Sequence, residues 1–507
     1  MSSEPIDIEK YHRDYIDTLS EEERQAIRQS HVERIKQGRE VWNAWAKQVL
    51  AAIEQTYPKN ATEAEKLTIR NQYEIDFSWV EFEGLVNFSG FIFPIAVNFT
   101  KASFSGEADF EWATFSDMAI FWETTFSGEA YFSEVTFSGK ADFSEATFSD
   151  RANFNKATFS GEAYFNEATF PGKAYFRNTS FSDDADFGWA TFSERAVFGD
   201  AIFSDEADFG WTTFSNEANF RKTTFSDKAN FRKITFSDKA DFSETTFSGK
   251  AYFGQVIFSN MADFSEAAFS GEEVAFLGTQ FQQQSLFIDL QFSKAAKATP
   301  CDFRQTHFYL PPSVDDFPSD ISQFINANKN IKRDKEFYKA CEAKFRTLKQ
   351  LAERNNHHQK TLEFYGCELY CQRQASGGWR KPKNWVSYFY GLLSGYGLSL
   401  LRPFILWLVV MCIGIGAQAL NDGKTSFSFT TAGWERASFY IAPSMPPFVG
   451  KPLYQKEVRH RLYPADQTKP AGQLPTANRF IRTIQTLMTF IALFLFGLAL
   501  RNRFKIG

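Results

Sequence analysis

Residues 141–165 read ADFSEATFSDRANFNKATFSGEAYF, and this stretch decides the fold. Phe occupies positions 143, 148, 154, 159 and 165, so the spacing between successive Phe residues alternates between five and six. One Phe series recurs every 11 residues from Phe77 to Phe264 and a second from Phe82 to Phe269, giving 36 positions that are all Phe. An internal repeat of this regularity indicates a solenoid.

Other architectures fit the repeat less well. On an 11-residue helical repeat the two Phe series would lie about 140° apart, at about 100° per residue. The Ser-Gly and Thr-Phe pairs are also poor helix formers. A flat sheet is excluded because apolar alternation lasts only three residues, as in Ala-x-Phe. The pattern therefore favours short extended segments, each ending in a Ser-Gly or Ser-Asp turn such as Ser138-Gly139 or Ser149-Asp150.

The units at residues 141–145 and 146–150, ADFSE and ATFSD, resemble the pentapeptide-repeat family, whose motif is A-(D/N)-(L/F)-x-x. The resemblance covers roughly residues 75–270. It implies a right-handed four-sided β-helix in which the Phe and the Ala two residues before it point inward and the last two positions face solvent. The chain departs from the family pattern by one extra residue in every second unit, as at Arg151, Glu162 and Lys173.

The extra residue sets the length of a coil. Four sides with spacings of five, six, five and six use 22 residues, so the 36 Phe positions predict nine regular coils. At about 4.8 Å per coil the rod would be about 43 Å long. The extra residue would widen two opposite corners and point outward. Between Phe269 and Phe276 the spacing is seven, which predicts an inserted residue followed by one or two degenerate coils, with Ala298 in a Phe position.

The fold class predicted is mainly β, a β-helix flanked by helices. Residues 1–70 form a helical N-terminal cap, in which Ser20 and Glu23 make a capping-box pattern. Residues 71–310 form the β-helix, residues 319–378 a helical linker domain, and residues 379–507 a membrane domain.

Two apolar runs, residues 403–420 and 484–500, predict transmembrane helices. Basic and aromatic residues typical of a membrane interface precede the first run: Trp379, Arg380, Lys381, Lys383, Trp385, Tyr388 and Phe389. Cations also flank the runs, at Arg402, Arg501, Arg503 and Lys505. The positive-inside rule then predicts a multi-pass protein of the bacterial inner (cytoplasmic) membrane, with the β-helix and both termini in the cytoplasm.

The loop between the two runs has two interpretations. A short helix at residues 431–441 followed by Pro443, Pro446 and Pro447 resembles the two-span architecture of cation channels. The candidate pore-loop residues are Trp434, Ser438, Tyr440 and Ser444. The simpler interpretation is a membrane anchor with an interfacial hairpin. Gly-Tyr-Gly at residues 395–397 precedes the first span, so it is not a selectivity filter.

On the rod, Trp189 and Trp211 are the candidate partner-binding residues. They lie 22 residues apart, so they should stack in adjacent coils about 4.8 Å apart. The pair is either a ladder that supports the sheet or a docking patch, because Trp is enriched at interface hot spots.

The remaining features predict no catalytic, cofactor or metal site. No nucleophile–base set or phosphate-binding Gly loop emerges, and we interpret Cys367 and Cys371 as core residues rather than zinc ligands. The predicted function is a non-catalytic, membrane-anchored scaffold with a cytoplasmic protein-interaction surface. The alternative is a subunit of an oligomeric two-span channel, a homo-oligomer with the β-helix as its assembly or gating module. The predicted partners are the lipid bilayer and an unidentified protein. The mild net charge of −6 and the membrane runs argue against nucleic acid.

Overall fold

The computed structural model describes residues 6–293, 297, 299–310, 312–329, 333–378, 381–423, 431–445, 452–465 and 470–504. Two compact units result: unit 1 comprises Met1–Pro318 with Ser322–Ile331, and unit 2 comprises Ser319–Ile321 with Lys332–Gly507. Several sequence-based expectations lie outside the described residues: Trp379, Arg380, Ala298, Lys505 and the parts of the predicted loop at residues 426–430 and 446–449.

Unit 1 is a four-sided parallel β-solenoid whose sides we call face 1 to face 4, in the order in which the chain visits them. Face 1 has ten strands: Glu74–Asp76, Ala96–Asn98, Ala119–Ile120, Ala141–Asp142, Ala163–Tyr164, Ala185–Asp186, Ala207–Asp208, Ala229–Asn230, Ala251–Tyr252 and Val274–Ala275. Face 2 has eleven: Glu81–Phe82, Ser103–Phe104, Thr125–Phe126, Thr147–Phe148, Thr169–Phe170, Thr191–Phe192, Thr213–Phe214, Thr235–Phe236, Ile257–Phe258, Gln280–Phe281 and His307–Phe308.

Faces 3 and 4 have ten strands each in the described chain. Those of face 3 are Val86–Asn87, Ala108–Asp109, Ala130–Tyr131, Ala152–Asn153, Ala174–Tyr175, Ala196–Val197, Ala218–Asn219, Ala240–Asp241, Ala262–Asp263 and Ser285–Leu286. Those of face 4 are Ile92–Phe93, Thr114–Phe115, Thr136–Phe137, Thr158–Phe159, Ser180–Phe181, Ile202–Phe203, Thr224–Phe225, Thr246–Phe247, Ala268–Phe269 and Gln291–Phe292.

The interior of the solenoid is a set of Phe stacks. Phe165 is fully buried and stacks between Phe143 and Phe187, with ring centroids 5.0 and 4.8 Å away. The rings of Phe154 and Phe176 meet it edge-on from the opposite side, both at 5.4 Å. Parallel stacking along the rod and edge-to-face contacts across it are both favourable aromatic geometries. The predicted 22-residue coil is therefore confirmed.

The corners alternate between a tight and a wide form. At the tight corners, between faces 1 and 2 and between faces 3 and 4, a hydrogen-bonded turn such as Ala146 N–H to Phe143 O (3.1 Å) closes the chain. Its third residue is left-handed, as in Glu145 with φ 59°. The Ser-Gly and Ser-Asp segments change the chain direction as predicted, but they do so as bends and only at the wide corners; the tight corners were not predicted. The extra residue at the wide corners, for example Arg151, points into solvent as predicted.

The predicted insertion after Phe269 is also present. Ala251 pairs with Val274, a register of 23 residues, whereas earlier pairs such as Ala229 with Ala251 are 22 apart. Phe317 closes the last coil by packing against Phe303, with ring centroids 5.2 Å apart.

Helices α1 (Arg13–Thr18), α2 (Glu21–Lys36), α3 (Arg39–Glu54) and α4 (Glu63–Arg70) precede the first strand. The capping box of Ser20 and Glu23 starts α2 as predicted. Buried Trp42 of α3 donates from Nε1 to the carbonyl oxygen of Ile92 at 2.9 Å, and Asn43 exchanges hydrogen bonds with Gly90 and Ile92. These contacts cover the otherwise open edge of the first coil.

The remaining helices are α5 (Ile321–Asn328), α6 (Lys335–Arg354), α7 (His358–Ala375), α8 (Trp385–Ser394), α9 (Leu401–Asn421), α10 (Thr431–Ile441), α11 (Pro452–Leu462) and α12 (Thr476–Phe504). In unit 2, Cys341 of α6 and Cys367 and Cys371 of α7 are buried. Gly395 ends α8 in the left-handed conformation, so Gly-Tyr-Gly is a turn before α9.

Helices α9 and α12 are long and apolar enough to cross a membrane, with mean hydropathies of 2.1 and 2.0. The second begins eight residues earlier than the predicted span at 484, because Pro475 and the polar residues after it start a helix that the apolar run only continues. Both helices expose large apolar side chains, among them Ile413, Leu420, Phe480, Leu487 and Phe494.

Candidate interaction surface and helical hairpin

The predicted stack of Trp189 and Trp211 is present on the rod. Their ring centroids lie 4.6 Å apart and the rings are within 6° of parallel. Both residues hold the left-handed position of the tight corner between faces 1 and 2, with φ 62° and 65°. Trp79 and Trp112 hold the same position at other tight corners. The spacing of one coil between equivalent positions therefore creates the stack.

The stack is open to solvent, since Trp189 is 58% and Trp211 45% exposed. Lys233 follows at the same corner one coil later, and its Nζ lies 3.9 Å from the centroid of the Trp211 ring. This contact is a cation–π interaction, which shows that the ring faces at this corner accept a cation. Glu167 holds the equivalent corner position one coil before Trp189.

Face 1 beside the Trp stack is acidic. Carboxylate oxygens of Asp183, Asp184 and Asp205 lie within 4.8 Å of one another at the wide corner between faces 4 and 1. None of the three forms an ion pair with a described residue. Burial raises the pKa of Asp184, and the charge of Asp205 raises it further. The pKa of Asp186, on the strand between this corner and the stack, is also raised by burial.

The opposite side of the same coils, face 3, carries a notch of about 560 Å³. Its lining includes Val197, Gly199, Arg177, Arg195 and Arg221. A Cβ on Gly199 would meet only ordinary contacts, the nearest atom being the carbonyl oxygen of Arg221 at 3.4 Å. A side chain at position 199 would therefore fit without a clash and would occupy part of the notch.

The cations of the notch are held by exposed ion pairs. Arg177 lies 3.3 Å from Asp200 and Arg195 lies 3.1 Å from Glu217. Exposed pairs of this kind contribute about 0–1 kcal/mol, so an incoming anion can exchange with them. Guanidinium groups bind carboxylates through two parallel hydrogen bonds.

In unit 2, a buried polar network joins α9, α10 and α12. Gln418 donates from Nε2 to Gln485 Oε1 at 2.8 Å, and Gln485 donates from Nε2 to Ser444 Oγ at 2.6 Å and to the Tyr440 carbonyl at 3.2 Å. Gly414 makes room for the Gln485 side chain, because a Cβ there would lie 2.2 Å from its Cδ. Amide hydrogen bonds between helices are a recurring way of joining transmembrane helices.

The segment after α10 runs back along α9. Tyr440 donates its hydroxyl to Asp422, at the end of α9, at 2.5 Å. Four residues later, the carbonyl of Ser444 accepts from Nε1 of Trp407 at 2.5 Å. Trp407 lies 14 residues before Asn421, the last residue of α9, which is about 21 Å along a helix. The segment from 440 to 444 therefore lies along α9 and contacts α12 through Gln485.

A second polar cluster lies around Asp422. Its carboxylate accepts from Tyr440, from Tyr463 and, at 2.6 Å, from Nδ2 of Asn478. Burial raises the pKa of Tyr440 and of Tyr463, and their hydrogen bonds to Asp422 raise it further. Both phenols stay protonated and act as donors to the carboxylate.

The four candidate pore-loop residues are thus separated. Tyr440 and Ser444 are buried in the networks just described, 3% and 0% exposed. Ser438 donates to the Glu435 carbonyl within its own helix at 2.7 Å, and Trp434 is 59% exposed. The structure brings two of the four together and leaves the other two elsewhere on α10.

Comparison with known proteins assigns the rod. Five stretches match the family model described as Pentapeptide repeats (9 copies): residues 88–136, 121–169, 165–210, 231–279 and 242–291. The rod is a pentapeptide-repeat domain. Neither a curated protein nor a solved structure significantly matches the chain. Pentapeptide-repeat solenoids are typically non-catalytic scaffolds, and the family match extends to no part of unit 2.

Two features were not predicted from the sequence, one in the pentapeptide-repeat domain and one in unit 2. The notch of face 3 could have been found by placing Gly199 between Arg177 and Arg221, which are 22 residues away on either side. The partners of Gln485 had no comparable signal, since Gln418 and Ser444 lie 67 and 41 residues away and no repeat relates them.

Proposed function

We propose that this protein is a non-catalytic, membrane-anchored scaffold whose pentapeptide-repeat domain presents a protein-interaction surface. The observation that carries the proposal is the exposed stack of Trp189 and Trp211 beside the acidic face 1. Rigid, exposed aromatic side chains provide contact area at low entropic cost, and Trp is enriched among residues that dominate binding.

The anchor is formed by α9 and α12. Their exposed large apolar side chains would be an aggregation hazard in water and are suited to lipid. The buried Gln418–Gln485–Ser444 network satisfies the polar groups between them, which hydrocarbon requires. The proposed location is the bacterial inner membrane, with the rod and both termini in the cytoplasm. Arg402 lies at the start of α9 and Arg501 near the end of α12, and cations at helix ends favour the cytoplasmic side.

Two measurements test the proposal. The full chain should remain in the membrane pellet after an alkaline carbonate wash, and release into the supernatant would contradict the anchor. Partners captured by the full chain should be lost on Trp189→Ser/Trp211→Ser. The matched control is Trp112→Ser, because Trp112 is 57% exposed at the equivalent turn position but has no Trp one coil away. Equal loss with the control would remove the Trp stack as the docking patch.

A second candidate function is supported by the segment at residues 440–444, which lies along α9 and contacts Gln485 of α12. A short helix followed by a chain that returns into the helical pair resembles the pore loop of a two-span channel, with oligomeric rods as the assembly or gating module. We rank it second because Ser444 Oγ and the Tyr440 carbonyl already accept hydrogen bonds from Gln485 of the same chain. Each of these oxygens therefore has less hydrogen-bonding capacity left for an ion.

A further inference from the structure

We propose that the partner of face 1 is a second copy of this chain, which docks its face 3 so that the rods associate side by side. The inference rests on the proposed function of face 1 as an interaction surface, and it names the occupant.

Faces 1 and 3 are opposite sides of the same coils. The chain visits the four faces in order, so each coil places one strand on face 1 and another on face 3. A copy translated across the rod therefore presents its face 3 to face 1 of its neighbour, with the two chains running the same way. Because this contact joins different surfaces, it leaves one face 1 and one face 3 open and can propagate into a row.

The two faces have opposite charge in the middle of the rod. On the side of face 1, residues 160–167, 182–189 and 204–211 hold eight carboxylates and no Lys or Arg. On the side of face 3, residues 171–178, 193–200 and 215–222 hold five cations and three carboxylates. Complementary potentials of this kind direct association and fix its register.

Translation also matches the corners. The corner between faces 3 and 4, with Arg177 and Arg221, comes beside the neighbour's corner between faces 4 and 1, with Asp183, Asp184 and Asp205. These three carboxylates repel one another at short range and lack a cation among the described residues, so an arriving guanidinium relieves the repulsion.

The same translation brings the corner between faces 2 and 3 beside the neighbour's corner between faces 1 and 2. Arg195, between faces 2 and 3, comes beside the corner of the neighbour that carries Trp189 and Trp211. Lys233 already occupies one end of this Trp stack at 3.9 Å, so a cation at the stack has a precedent within the chain.

The notch gives the contact its shape. Arg177 and Arg221 hold the same turn position two coils apart, which is about 9.6 Å along the rod. Gly199 lies between them and leaves the notch of about 560 Å³ open. The two guanidinium groups can therefore straddle a side chain of the neighbour rather than block its approach.

The test uses purified full-length chain in detergent and in nanodiscs, with sedimentation velocity at low and high salt. The wild type should associate at low salt and dissociate at high salt, because the contact is electrostatic. Arg177→Glu/Arg221→Glu and Asp183→Lys/Asp205→Lys should each weaken association by about tenfold or more. Mixing the two variants should restore association, since the unchanged face 1 of the first variant can bind the unchanged face 3 of the second. Restoration also shows that both variants are folded.

The matched controls separate shape from charge. Lys59→Glu/Lys250→Glu changes two exposed cations outside these segments and should associate like the wild type. Gly199→Asn should fill the notch and weaken association, whereas Gly254→Asn, at the same turn position with its nearest contact at 3.5 Å, should not. Failure of the mixed variants to associate would overturn the proposal.

Other outcomes distinguish this inference from the proposed function. A wild-type chain that is monomeric at low salt overturns self-docking. If that monomer still captures a basic protein on face 1 in a Trp189-dependent manner, the occupant is a foreign partner and the scaffold function stands. If it captures no partner and washes out of membranes, the scaffold function itself fails.

Discussion

Trp189 lies flat on Trp211, with centroids 4.6 Å apart, although both residues adopt a left-handed backbone conformation that is rare for a large side chain. The solenoid imposes this conformation at every tight corner, and the 22-residue coil then aligns equivalent corners. A turn that is locally unfavourable thus becomes the support for an exposed aromatic surface. The repeat thus specifies the architecture, and the outward tight-corner positions, such as those of Trp189 and Trp211, are where a side chain can carry function.

The Phe stack should determine the stability of the rod. Phe165→Ala removes a ring that contacts six other Phe rings, so we expect a loss of about 3–5 kcal/mol in the free energy of unfolding. Phe165→Leu should cost less, because it retains most of the buried volume. Urea denaturation followed by circular dichroism measures both. Equal stability of the Ala variant and the wild type would contradict the stacked core.

The left-handed corners make a separate prediction. Gln255 has φ 58°, and a β-branched residue is especially unfavourable there, so Gln255→Val should destabilise the rod by about 1–2 kcal/mol. Gln255→Gly should be neutral or stabilising, because Gly has no Cβ to clash. The comparison is made by denaturation of the two variants. A Val variant as stable as the Gly variant would argue against a left-handed turn.

The hairpin depends on the close approach of Gly414 and Gln485. Gly414→Leu should separate α9 from α12 and lower the thermal stability of the protein in detergent, since even a Cβ would lie 2.2 Å from Gln485. Gly416→Leu is the matched control, because a Cβ at Gly416 has no described atom within 4 Å. Equal melting temperatures for the two variants would show that the helices do not pack through Gly414.

The N-terminal cap should be sensitive to acid. His31 is buried against Tyr11 and Phe77, and burial lowers its pKa from 6.5 to about 4, helped by the charge of Arg34. A base with a lowered pKa stabilises the folded state above its unfolded pKa and loses that contribution as the pH falls. The free energy of unfolding of the cap should therefore fall by about 3 kcal/mol between pH 6.5 and 4.

Fluorescence of Trp45, whose ring contacts His31, and of Trp42, whose ring contacts Trp45, reports this transition. In the His31→Asn variant the side chain cannot titrate but can still donate to the Asp76 carbonyl, which His31 Nδ1 approaches at 3.3 Å. The variant should show a weaker pH dependence over the same range. An unchanged acid transition in the variant would assign the effect to other groups.

The repeat made most of the rod predictable. The Phe residues recur at a constant 11-residue interval, and the four sides implied by the family resemblance convert this interval into the 22-residue coil, the inward face and the Trp189–Trp211 stack. The left-handed corners did not follow, since Gly occupies this position at Gly90 and Gly278 but most corners hold other residues, which range from Glu145 to Trp211. The Gln418–Gln485–Ser444 network was also missed, because its members are far apart in sequence and are brought together only by helix packing. The start of α12 was misplaced because hydropathy reports the apolar run and not the helix.

The distinction between an anchor and a pore is tested most directly by recording from the purified full-length protein in planar bilayers. Gln485 donates hydrogen bonds to Ser444 Oγ and to the Tyr440 carbonyl of the same chain, so we expect no unitary currents at any voltage or salt concentration. Reproducible unitary currents that change in amplitude or selectivity with Ser444→Ala would contradict it.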